Sequence, residues 1–407
     1  MQEKIKAGYK QSEIGVIPED WTAASIKSLC ELVNGRGFKP YEWKQRGLPI
    51  IRIQNLNGSD EFNHFDGAFN PKILIEPGEL LFAWSGSRGT SFGPHVWRGP
   101  TALLNYHTWK VATFDKRIDR TFFFHALRHL TKSIEDEAHG ASALVHTQKK
   151  EMENFLIPSP SSITEQQAIA EALSDADARI AALEALIAKK RDLKQAAMQQ
   201  LLTGKTRLSG FSGDWEVKCL KDVALVFDGT HQTPLYVSHG VPFYSVENVT
   251  SGDFKNTKFI TSEEHKILTR SVKLERGDIL MTRIGSIGDC KLIDWDVCAS
   301  FYVSLALIKV KKGTSAKYIE QYSKTEEFQK EVEVNSLMQA IPKKINLGPI
   351  SRLIIKIPPT EAEQIAIADI LSDMDAELAA LEAEAEKART IKQGMMQNLL
   401  TGKVRLV

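Results

Sequence analysis

The sequence has few cysteines and no arrangement of them that suggests a metal site or a disulfide framework. Only four occur among 407 residues, at Cys30, Cys219, Cys290 and Cys298. None belongs to a Cys-x-x-Cys pair, and no histidine stands at zinc-finger spacing from them. We therefore expect reduced, buried thiols with a packing role.

Long hydrophobic runs and an excess of one charge sign are also lacking. No stretch of about 18 apolar residues occurs, and the opening MQEKIKAGYK has no apolar signal segment. We expect a cytoplasmic protein with no membrane partner. The net charge is +1, so any nucleic-acid binding must depend on local features. The length predicts two to three domains.

An internal repeat is the strongest feature of the chain. Residues 165–208 align without a gap on residues 363–406, and 28 of the 44 positions are identical. An internal repeat of this kind takes precedence over local motifs. The chain is therefore a tandem duplication.

The repeat contains a fragment of a nucleotide-binding motif. Gly204, Lys205 and Thr206 match the end of a phosphate-binding loop, but that loop needs a further glycine at position 199, which is glutamine. The preceding residues are typical of a helix rather than a strand. We therefore interpret Gly204 as a helix stop, as we do Gly402 in the second copy.

Each copy of the repeat predicts one long amphipathic helix. Ser162, Thr164 and Thr360, followed by Glu165 or Glu363, supply capping groups at the helix starts. A helix with a single apolar seam is unstable alone, so we expect the two helices to form an antiparallel coiled coil, with a globular segment at each end and a pseudo-two-fold axis. The predicted seam consists of Leu173, Ala176, Ile180, Leu183 and Ile187 in the first copy and of Leu371, Met374, Leu378, Leu381 and Ala385 in the second.

The two globular segments have similar plans but diverged residues. Runs such as PIIRI, ELLFAW, DILMTRIG and VSLALIKV predict strands, and short helices are expected at 120–131 and 315–334. We expect an α+β fold with mixed or antiparallel sheets. The predicted domains are 1–160 and 209–360, and the predicted spacer helices are 161–208 and 361–407.

Polar residues recur at matching places in the two segments. A loop follows the first elements of each segment (34–47 and 228–236), a Gly-Ser-x-Gly turn follows a later strand, and a lysine pair precedes the return to each helix. Such side chains and free backbone N–H groups suit phosphates and base edges. The candidate DNA-contacting residues are Asn34, Arg36, Lys39, Arg52, Asn55, Ser85, Ser87, Arg88, Thr90, Lys149, Lys150, Thr230, His231, Gln232, Thr233, Asn248, Arg283, Ser286, Lys343 and Lys344.

Signals for catalysis or metal binding are weak. The chain has no Asn/Asp-Pro-Pro-aromatic motif of adenine methyltransferases and no convincing nuclease cluster. Seven histidines in residues 1–160, including His95, His107, His125 and His129, have irregular spacing. We expect no catalytic residues, no metal and no cofactor in this chain.

Taken together, several motifs resemble the specificity (S) subunits of type I restriction-modification enzymes. They are the opening AGYKQSEIGVIPEDW, the GDIL...R.GSIG turn, the IPSP...TEQQAIA and IPPTEAEQIAIA junctions, and the doubled LLTGK.RL. The resemblance covers essentially the whole chain. One departure is the first turn, AWSGSRG, where Trp84 stands in the place of Arg283 and the basic residue is Arg88.

The resemblance implies a non-catalytic subunit with two target recognition domains, each reading one half of a bipartite, asymmetric site in double-stranded DNA. It also implies that two methyltransferase (M) subunits dock on the helical spacer and the domain frames. Restriction (R) subunits would join through the M subunits, which would use S-adenosylmethionine. Unlike half-sites agree with the divergence of the two segments.

Three alternatives remain from the residues alone. The first is the specificity subunit of a related system with a fused nuclease-methyltransferase partner. The second is a coiled-coil scaffold with two peptide-binding heads and no role in DNA binding. The third is a nucleotidase that uses Lys205.

Overall fold

The protein divides into two compact units. The computed structural model describes residues 5–137, 144–337 and 339–406. Unit 1 comprises Met1–Glu184 with Glu384–Val407, and unit 2 comprises Ala185–Ala383. Each unit therefore combines a globular segment with parts of both copies of the repeat.

Unit 1 begins with short strands and ends in a long helix. Its strands are β1 (Tyr9–Ser12), β2 (Gly15–Pro18), β3 (Trp21–Ser25), β4 (Cys30–Asn34), β5 (Leu48–Ile51), β6 (Asn63–Phe65), β7 (Leu74–Ile75), β8 (Leu80–Ala83), β9 (Ser85–Ser87), β10 (Gly93–Val96), β11 (Ala102–Leu104), β12 (Thr108–Thr113), β13 (Leu144–His146) and β14 (Leu156–Pro160). Its helices are α1 (Ile26–Leu29), α2 (Ile53–Leu56), α3 (Arg120–Glu137), α4 (Lys149–Asn154) and the first part of α5 (Ile163–Leu201), and 3₁₀ turns cover Pro40–Glu42 and Pro71–Ile73. The last part of the C-terminal long helix, Glu361–Leu399, also belongs to unit 1.

Unit 2 repeats this order with fewer strands and more helices. Its strands are β15 (Glu216–Cys219), β16 (Ala224–Asp228), β17 (Val241–Tyr244), β18 (Lys258–Ile260), β19 (Ile279–Thr282), β20 (Cys290–Leu292), β21 (Ser300–Phe301), β22 (Leu305–Val310) and β23 (Ile354–Ile357). Its helices are the last part of α5, then α6 (Leu220–Val223), α7 (Val246–Ser251), α8 (Ser262–Leu268), α9 (Ala316–Ser323), α10 (Glu326–Val334), α11 (Leu347–Ser351) and the first part of α12 (Glu361–Leu399).

The two units contain the same pair of sheets. One is antiparallel, with the order β10-β8-β12-β4 in unit 1 and β20-β19-β22-β16 in unit 2. The other is mixed, with the order β6-β5-β11-β7 in unit 1 and β18-β17-β21 in unit 2, and its parallel pairs are β5 with β11 and β17 with β21. The predicted α+β class with mixed and antiparallel sheets is confirmed, as are helices within 120–131 and 315–334.

Within each unit the two long helices run antiparallel. In unit 1, Leu400 after the end of α12 shares a buried cluster with Leu173 near the start of α5. In unit 2, Leu202 after the end of α5 shares a cluster with Leu371 near the start of α12. All ten predicted seam residues are buried or partly buried. The seam is thus covered, as the instability of a lone amphipathic helix requires.

A polar cluster with duplicated positions ties each globular segment to both long helices. In unit 1, Asp177 of α5 pairs with Arg128 of α3 at 3.0 Å and with Lys392 of α12. His125 of α3, which is 1% exposed, lies with Nε2 3.2 Å from Ser174 Oγ.

In unit 2, Gln321 of α9 takes the place of that histidine. Gln321 Nε2 donates to Asp375 Oδ2 at 3.2 Å, and Asp375 also pairs with Lys324 and with Lys194. Ser372 lies 3.4 Å from the same amide nitrogen. The two clusters therefore share a plan and differ in one titratable group.

The ends of the long helices carry the predicted signals. Gly204 and Gly402 have φ values of 73° and 72°, in the left-handed region that favours glycine at a helix C-terminus. At the helix starts, the Oγ of Ser162 accepts from the Glu165 amide at 3.4 Å, and Thr360 Oγ1 accepts from the Glu363 amide at 3.3 Å.

Both glutamate side chains form ion pairs rather than caps. Glu165, 2% exposed, binds Arg405 and accepts a hydrogen bond from Trp21 Nε1 at 3.2 Å, and Arg405 also binds Asp20 at 2.8 Å. Glu363, fully buried, binds Arg207 at 2.6 Å. The arginine that follows each LLTGK motif thus neutralises a buried carboxylate at the start of the other long helix.

The cysteines differ from the expectation of four buried thiols. All four are free, but only Cys30 is buried by solvent accessibility, and Cys298 is exposed. Among the described residues, no helix has the length and apolarity needed to cross a membrane. In the same part of the chain, no group of three or more His, Cys, Asp and Glu residues has the geometry for a metal ion.

Replacing Arg405 should destabilise unit 1. Because Arg405→Ala leaves Glu165 buried without its cation, we expect a loss of roughly 3 kcal/mol in unfolding free energy. Urea titration followed by tryptophan fluorescence measures it, since Trp21 adjoins the site. Arg389→Ala, which removes exposed ion pairs with Glu184 and Glu386, is the control and should have little effect. An equal loss of unfolding free energy in both variants would contradict the role of Arg405 as the cation that neutralises buried Glu165.

His125 should make unit 1 sensitive to acid. Burial lowers its pKa from 6.5 to about 4, with Asp177, Arg128 and Lys392 as the facing charges. As the pH falls, His125 is therefore protonated in the unfolded chain before it is protonated in the folded protein. The free energy of unfolding of unit 1 should decrease by up to about 3 kcal/mol as the pH falls from 6.5 towards 4. Thermal unfolding between pH 7.5 and 4.5 should show a smaller acid loss for His125→Gln. The reciprocal Gln321→His should add acid sensitivity to unit 2. If the unfolding temperatures of the wild type, His125→Gln and Gln321→His change in parallel with pH, the role of His125 is refuted.

Candidate nucleic-acid interface

The loop after β4 (34–47) is anchored to its own unit. Gly35 lies so close to the segment after β11 that a Cβ on it would stand 2.0 Å from the Asn105 carbonyl oxygen. The Arg36 guanidinium binds Glu42 and lies 4.8 and 4.6 Å from the ring centroids of Phe38 and Phe65. Arg36 therefore fixes the loop, whereas Asn34 and Lys39 are exposed.

A second arginine supports the far side of this loop. The Arg52 guanidinium lies 5.2 Å from the Trp43 ring centroid, and its Nη1 donates to Asn63 Oδ1 at 2.9 Å. The Lys44 amide donates to the His64 carbonyl at 2.9 Å. Arg52 is partly buried and holds Trp43 in place.

The equivalent loop of unit 2 (228–240) has different side chains on the same backbone plan. A Cβ on Gly229 would stand 2.4 Å from the Tyr302 carbonyl oxygen. Gly229 thus makes the same close backbone approach as Gly35 makes to Asn105 in unit 1. His231 Nε2 lies 2.8 Å from Asp228 Oδ2, and Thr233 Oγ1 lies 3.4 Å from the Tyr302 hydroxyl. Thr230 is partly buried, and His231, Gln232 and Thr233 are exposed.

Asn55 and Asn248 have equivalent positions below these loops. Asn55 is 7% exposed, and its Nδ2 donates to the Ser59 and Glu61 carbonyls at 2.9 Å. Asn248 is 5% exposed and donates to the Asp253 carbonyl at 2.9 Å. Each Oδ1 also accepts the backbone N–H three residues earlier. Both amides therefore stabilise a turn and are not presented to solvent.

The Gly-Ser-x-Gly turn of unit 1 has its polar residues on the surface. The Ser87 carbonyl accepts from the Thr90 amide at 3.3 Å, and the Gly89 amide donates to Glu135 Oε1 at 2.8 Å. Ser87, Arg88 and Thr90 are exposed, and Ser85 is partly buried.

The turn of unit 2 begins with a buried arginine. Arg283 is 7% exposed, pairs with Asp228 at 2.5 Å, and donates from Nε to the Ile345 carbonyl at 3.2 Å. Ser286 is exposed and bonds to Asp289 within the turn. Arg283 therefore connects the turn to the loop of its unit through Asp228.

Trp84 occupies the backbone position of Arg283, as the sequence indicated. The Trp84 carbonyl accepts from the Thr147 amide at 3.0 Å, and the Arg283 carbonyl accepts from the Ile345 amide at 2.9 Å. Trp84 Nε1 donates to the Tyr106 carbonyl at 2.9 Å.

An aromatic group therefore replaces the ionic network in unit 1. The Trp84 ring centroid is 5.3 Å from that of His107, which is 3.8 Å from that of Tyr106. Burial lowers the pKa of His107. Unit 1 thus has a neutral aromatic connection between loop and turn, where unit 2 has Arg283 and Asp228.

The lysine pairs have different positions in the two units. Lys343 and Lys344 precede Ile345, and the Lys343 carbonyl accepts from the Gly285 amide at 2.8 Å. Lys149 and Lys150 follow Thr147, the counterpart of Ile345, and open helix α4. Lys343 pairs with Glu333 at 3.2 Å and Lys149 with Glu153 at 3.6 Å, while Lys150 is exposed. The correspondence inferred from sequence is therefore offset along the chain.

In each unit the loop and the turn form one continuous surface. Residues 105–107 connect them in unit 1, and residues 302–304 do so in unit 2. We call this surface the loop–turn face; it comprises 34–47, 84–90 and 105–107 in unit 1, and 228–240, 283–288 and 302–304 in unit 2. Sequence reasoning selected its loops and turns but missed Tyr41, Tyr106 and Leu235, which are exposed at 82%, 48% and 76%. Their apolar character next to polar loop residues was the available signal.

Comparison with known proteins gives a consistent result. The family model described as the type I restriction modification DNA specificity domain matches twice, over residues 18–190 and 212–390. The specificity subunit of type I restriction enzyme MjaVIII from Methanocaldococcus jannaschii is 26% identical, over 96% of this chain and 94% of its own. The EcoBI specificity subunit from Escherichia coli is 23% identical, over 94% of this chain and 85% of its own.

Solved structures share the fold. The crystal structure of a type I restriction-modification S subunit from M. genitalium aligns with a TM-score of 0.63 and 18% identity, over 98% of both chains. A chain from a structure on complex assembly and conformational transition of the type I system aligns with a TM-score of 0.57 and 14% identity, over 95% of this chain and 99% of that one. With two copies of the family domain over most of its length, the chain belongs to the specificity subunits of type I restriction-modification systems.

Proposed function

We propose that this chain selects the DNA sequence for its complex, with each unit reading one half of a bipartite, asymmetric site in duplex DNA. The observation that carries the proposal is a shared backbone with unlike side chains. Trp84 and Arg283 have the same backbone pairing but connect the turn to its loop by aromatic contacts and by a buried ion pair, respectively. The exposed loop residues differ as well, with Asn34 and Lys39 in unit 1 and His231, Gln232 and Thr233 in unit 2. A common frame with diverged contact residues is expected when two domains read different sequences.

The exposed candidates divide into two roles under this proposal. Lys39, Lys150 and Arg88 supply positive charge for phosphates, which position the protein without reading sequence. Gln232 and Thr233 have the donors and acceptors that base edges require. Arg36, Arg52, Arg283, Asn55 and Asn248 act indirectly, because their side chains support the loops.

The long helices provide the docking surface for two methyltransferase subunits under the same proposal. In unit 2, Leu186, Leu193 and Ile370 are large aliphatic residues on the helices, exposed at 38 to 47%. In unit 1, Ile391 is 52% exposed and lines a groove with Ala172, Ala176, Ala388 and Met395. Apolar side chains on an otherwise charged helix pair are typical of a protein interface.

Catalysis would reside in the partners. The methyltransferase subunits would bind S-adenosylmethionine, restriction subunits would join through them, and this chain would hold neither cofactor nor metal. The nucleotidase alternative finds no support at Gly204, which lies in the turn after helix α5 and does not open a helix.

Selection from a random duplex library tests the proposal. The chain, copurified with its methyltransferase subunits, should enrich a two-part sequence with a fixed gap, recovered after mobility-shift separation and sequencing. The methyltransferase subunits alone are the control and should enrich no such sequence. Enrichment without two defined parts, or equal binding of all duplexes, would sink the proposal.

The length of the helix pair should set the gap between the half-sites. Inserting seven residues in α5 and seven at the facing position of α12 keeps the apolar seam in register and adds about 10 Å, so the preferred gap should grow by about three base pairs. The same insertion after Gly313, in an exposed turn of unit 2, is the control and should leave the gap unchanged. Repeating the library selection measures both, and an unaltered gap in the first variant would count against a spacer role.

A further inference from the structure

Each loop–turn face presents one large apolar side chain almost entirely to solvent. Tyr41 is 82% exposed and Leu235 is 76% exposed. Single exposed apolar residues are common on protein surfaces, so exposure alone is weak evidence that a residue contacts a partner. The position and support of both residues, and the basic surroundings of Tyr41, give it weight.

The two residues have equivalent positions in unlike sequences. Arg36 forms an isolated parallel bridge with Asn105, and Thr230 forms the same bridge with Tyr302. A proline follows four residues later in both units, and the next residue is Tyr41 or Leu235. The duplication has therefore retained an exposed apolar side chain at this point while its chemistry changed from aromatic to aliphatic.

The backbone that carries Tyr41 is fixed on both sides. Glu42 binds Arg36 and accepts from the Lys39 amide at 2.8 Å, and the Trp43 amide donates to the Pro40 carbonyl at 3.2 Å. The Tyr41 ring projects from this braced turn and is 82% exposed. Holding an aromatic ring in place before binding reduces the entropy lost when a partner covers it.

Leu235 has comparable support. Pro234 before it is buried, and the Val237 amide after it donates to the Phe259 carbonyl at 2.9 Å. The Tyr236 ring packs against Phe243 at 5.9 Å between centroids and lies 4.7 Å from Lys258 Nζ. Leu235 is thus presented between fixed neighbours.

The surroundings of Tyr41 are basic. Lys39, Lys44 and Arg46 are exposed on the same loop, while the loop's one acidic residue, Glu42, is paired with Arg36. An apolar side chain bordered by cations suits a DNA groove, where phosphates line the rim and base edges or base steps form the floor.

We propose that Tyr41 and Leu235 are the tips that enter a groove of the two half-sites and make apolar contacts with the base pairs. The proposal rests on the DNA-reading role given above and assigns it one residue in each unit. Tyrosine can stack or wedge at a base step, and leucine can wedge or contact a thymine methyl group. The difference between the tips would contribute to the asymmetry of the site.

The test uses the full complex and the duplex obtained by library selection. Tyr41→Ala should weaken binding about tenfold, and single-base-pair changes should show lost preference in one half-site only. Leu235→Ala should do the same in the other half-site. Tyr41→Phe should retain most of the affinity because the ring remains.

Exposed apolar residues elsewhere in each unit serve as matched controls. Val16→Ala and Val217→Ala remove side chains that are 47% and 67% exposed on β2 and β15, outside the loop–turn face, and should leave affinity unchanged. Thermal unfolding checks that every variant folds. If the wild-type complex selects a two-part site but Tyr41→Ala and Leu235→Ala bind it with unchanged affinity and preference, the tips are not contacts. If the wild type selects no site, the DNA-reading role itself fails.

Discussion

The apolar seam of the two long helices is the constraint on which the rest of the structure depends. A helix of 39 residues with one apolar stripe loses most of its stability when that stripe faces water, so α5 and α12 require each other. The antiparallel direction follows from the clusters at their ends, where Leu173 meets Leu400 and Leu371 meets Leu202. Each unit consequently contains the start of one helix and the end of the other.

The ion pairs at the helix starts make the antiparallel pairing of α5 and α12 specific. Glu165 and Glu363 are buried carboxylates whose cations, Arg405 and Arg207, come from beyond the end of the opposite helix. A buried carboxylate without a cation is costly, so a misaligned helix pair would leave two unpaired charges. The hydrophobic seam supplies stability, and the buried charges supply the correct register.

The sequence was sufficient for the features that depend on local pattern. The duplicated helices, their glycine stops, the sheet class and the exchange of Arg283 for Trp84 all follow from spacing and alignment. The sequence was insufficient where the role of a side chain depends on contacts with residues that are distant along the chain. Arg283 is held by Asp228, which lies 55 residues away in sequence, and Arg36 by two rings and a carboxylate. An arginine in a loop looks the same in sequence whether its donors are engaged or open to solvent.

Exposure was the other property that sequence did not give. Tyr41 and Trp43 are aromatic residues two positions apart in the same loop. The Trp43 ring is covered by the Arg52 guanidinium, whereas the Tyr41 ring is exposed. The difference comes from the 3₁₀ turn at Pro40–Glu42, which directs consecutive side chains apart.

Under the proposed DNA-reading role, this separation of supporting and exposed residues affects how the chain can change its specificity. The residues that hold the loops are buried or partly buried and paired within their own unit, so substitutions at Tyr41 or Gln232 leave those contacts intact, whereas substitutions at Arg36 or Asn248 do not. Changes at distant, unconnected sites are close to additive in free energy. Each loop–turn face can therefore diverge without a matching change in the helix seam or in the buried ion pairs. The well-matched repeat and the poorly matched globular segments are what that independence predicts after a duplication.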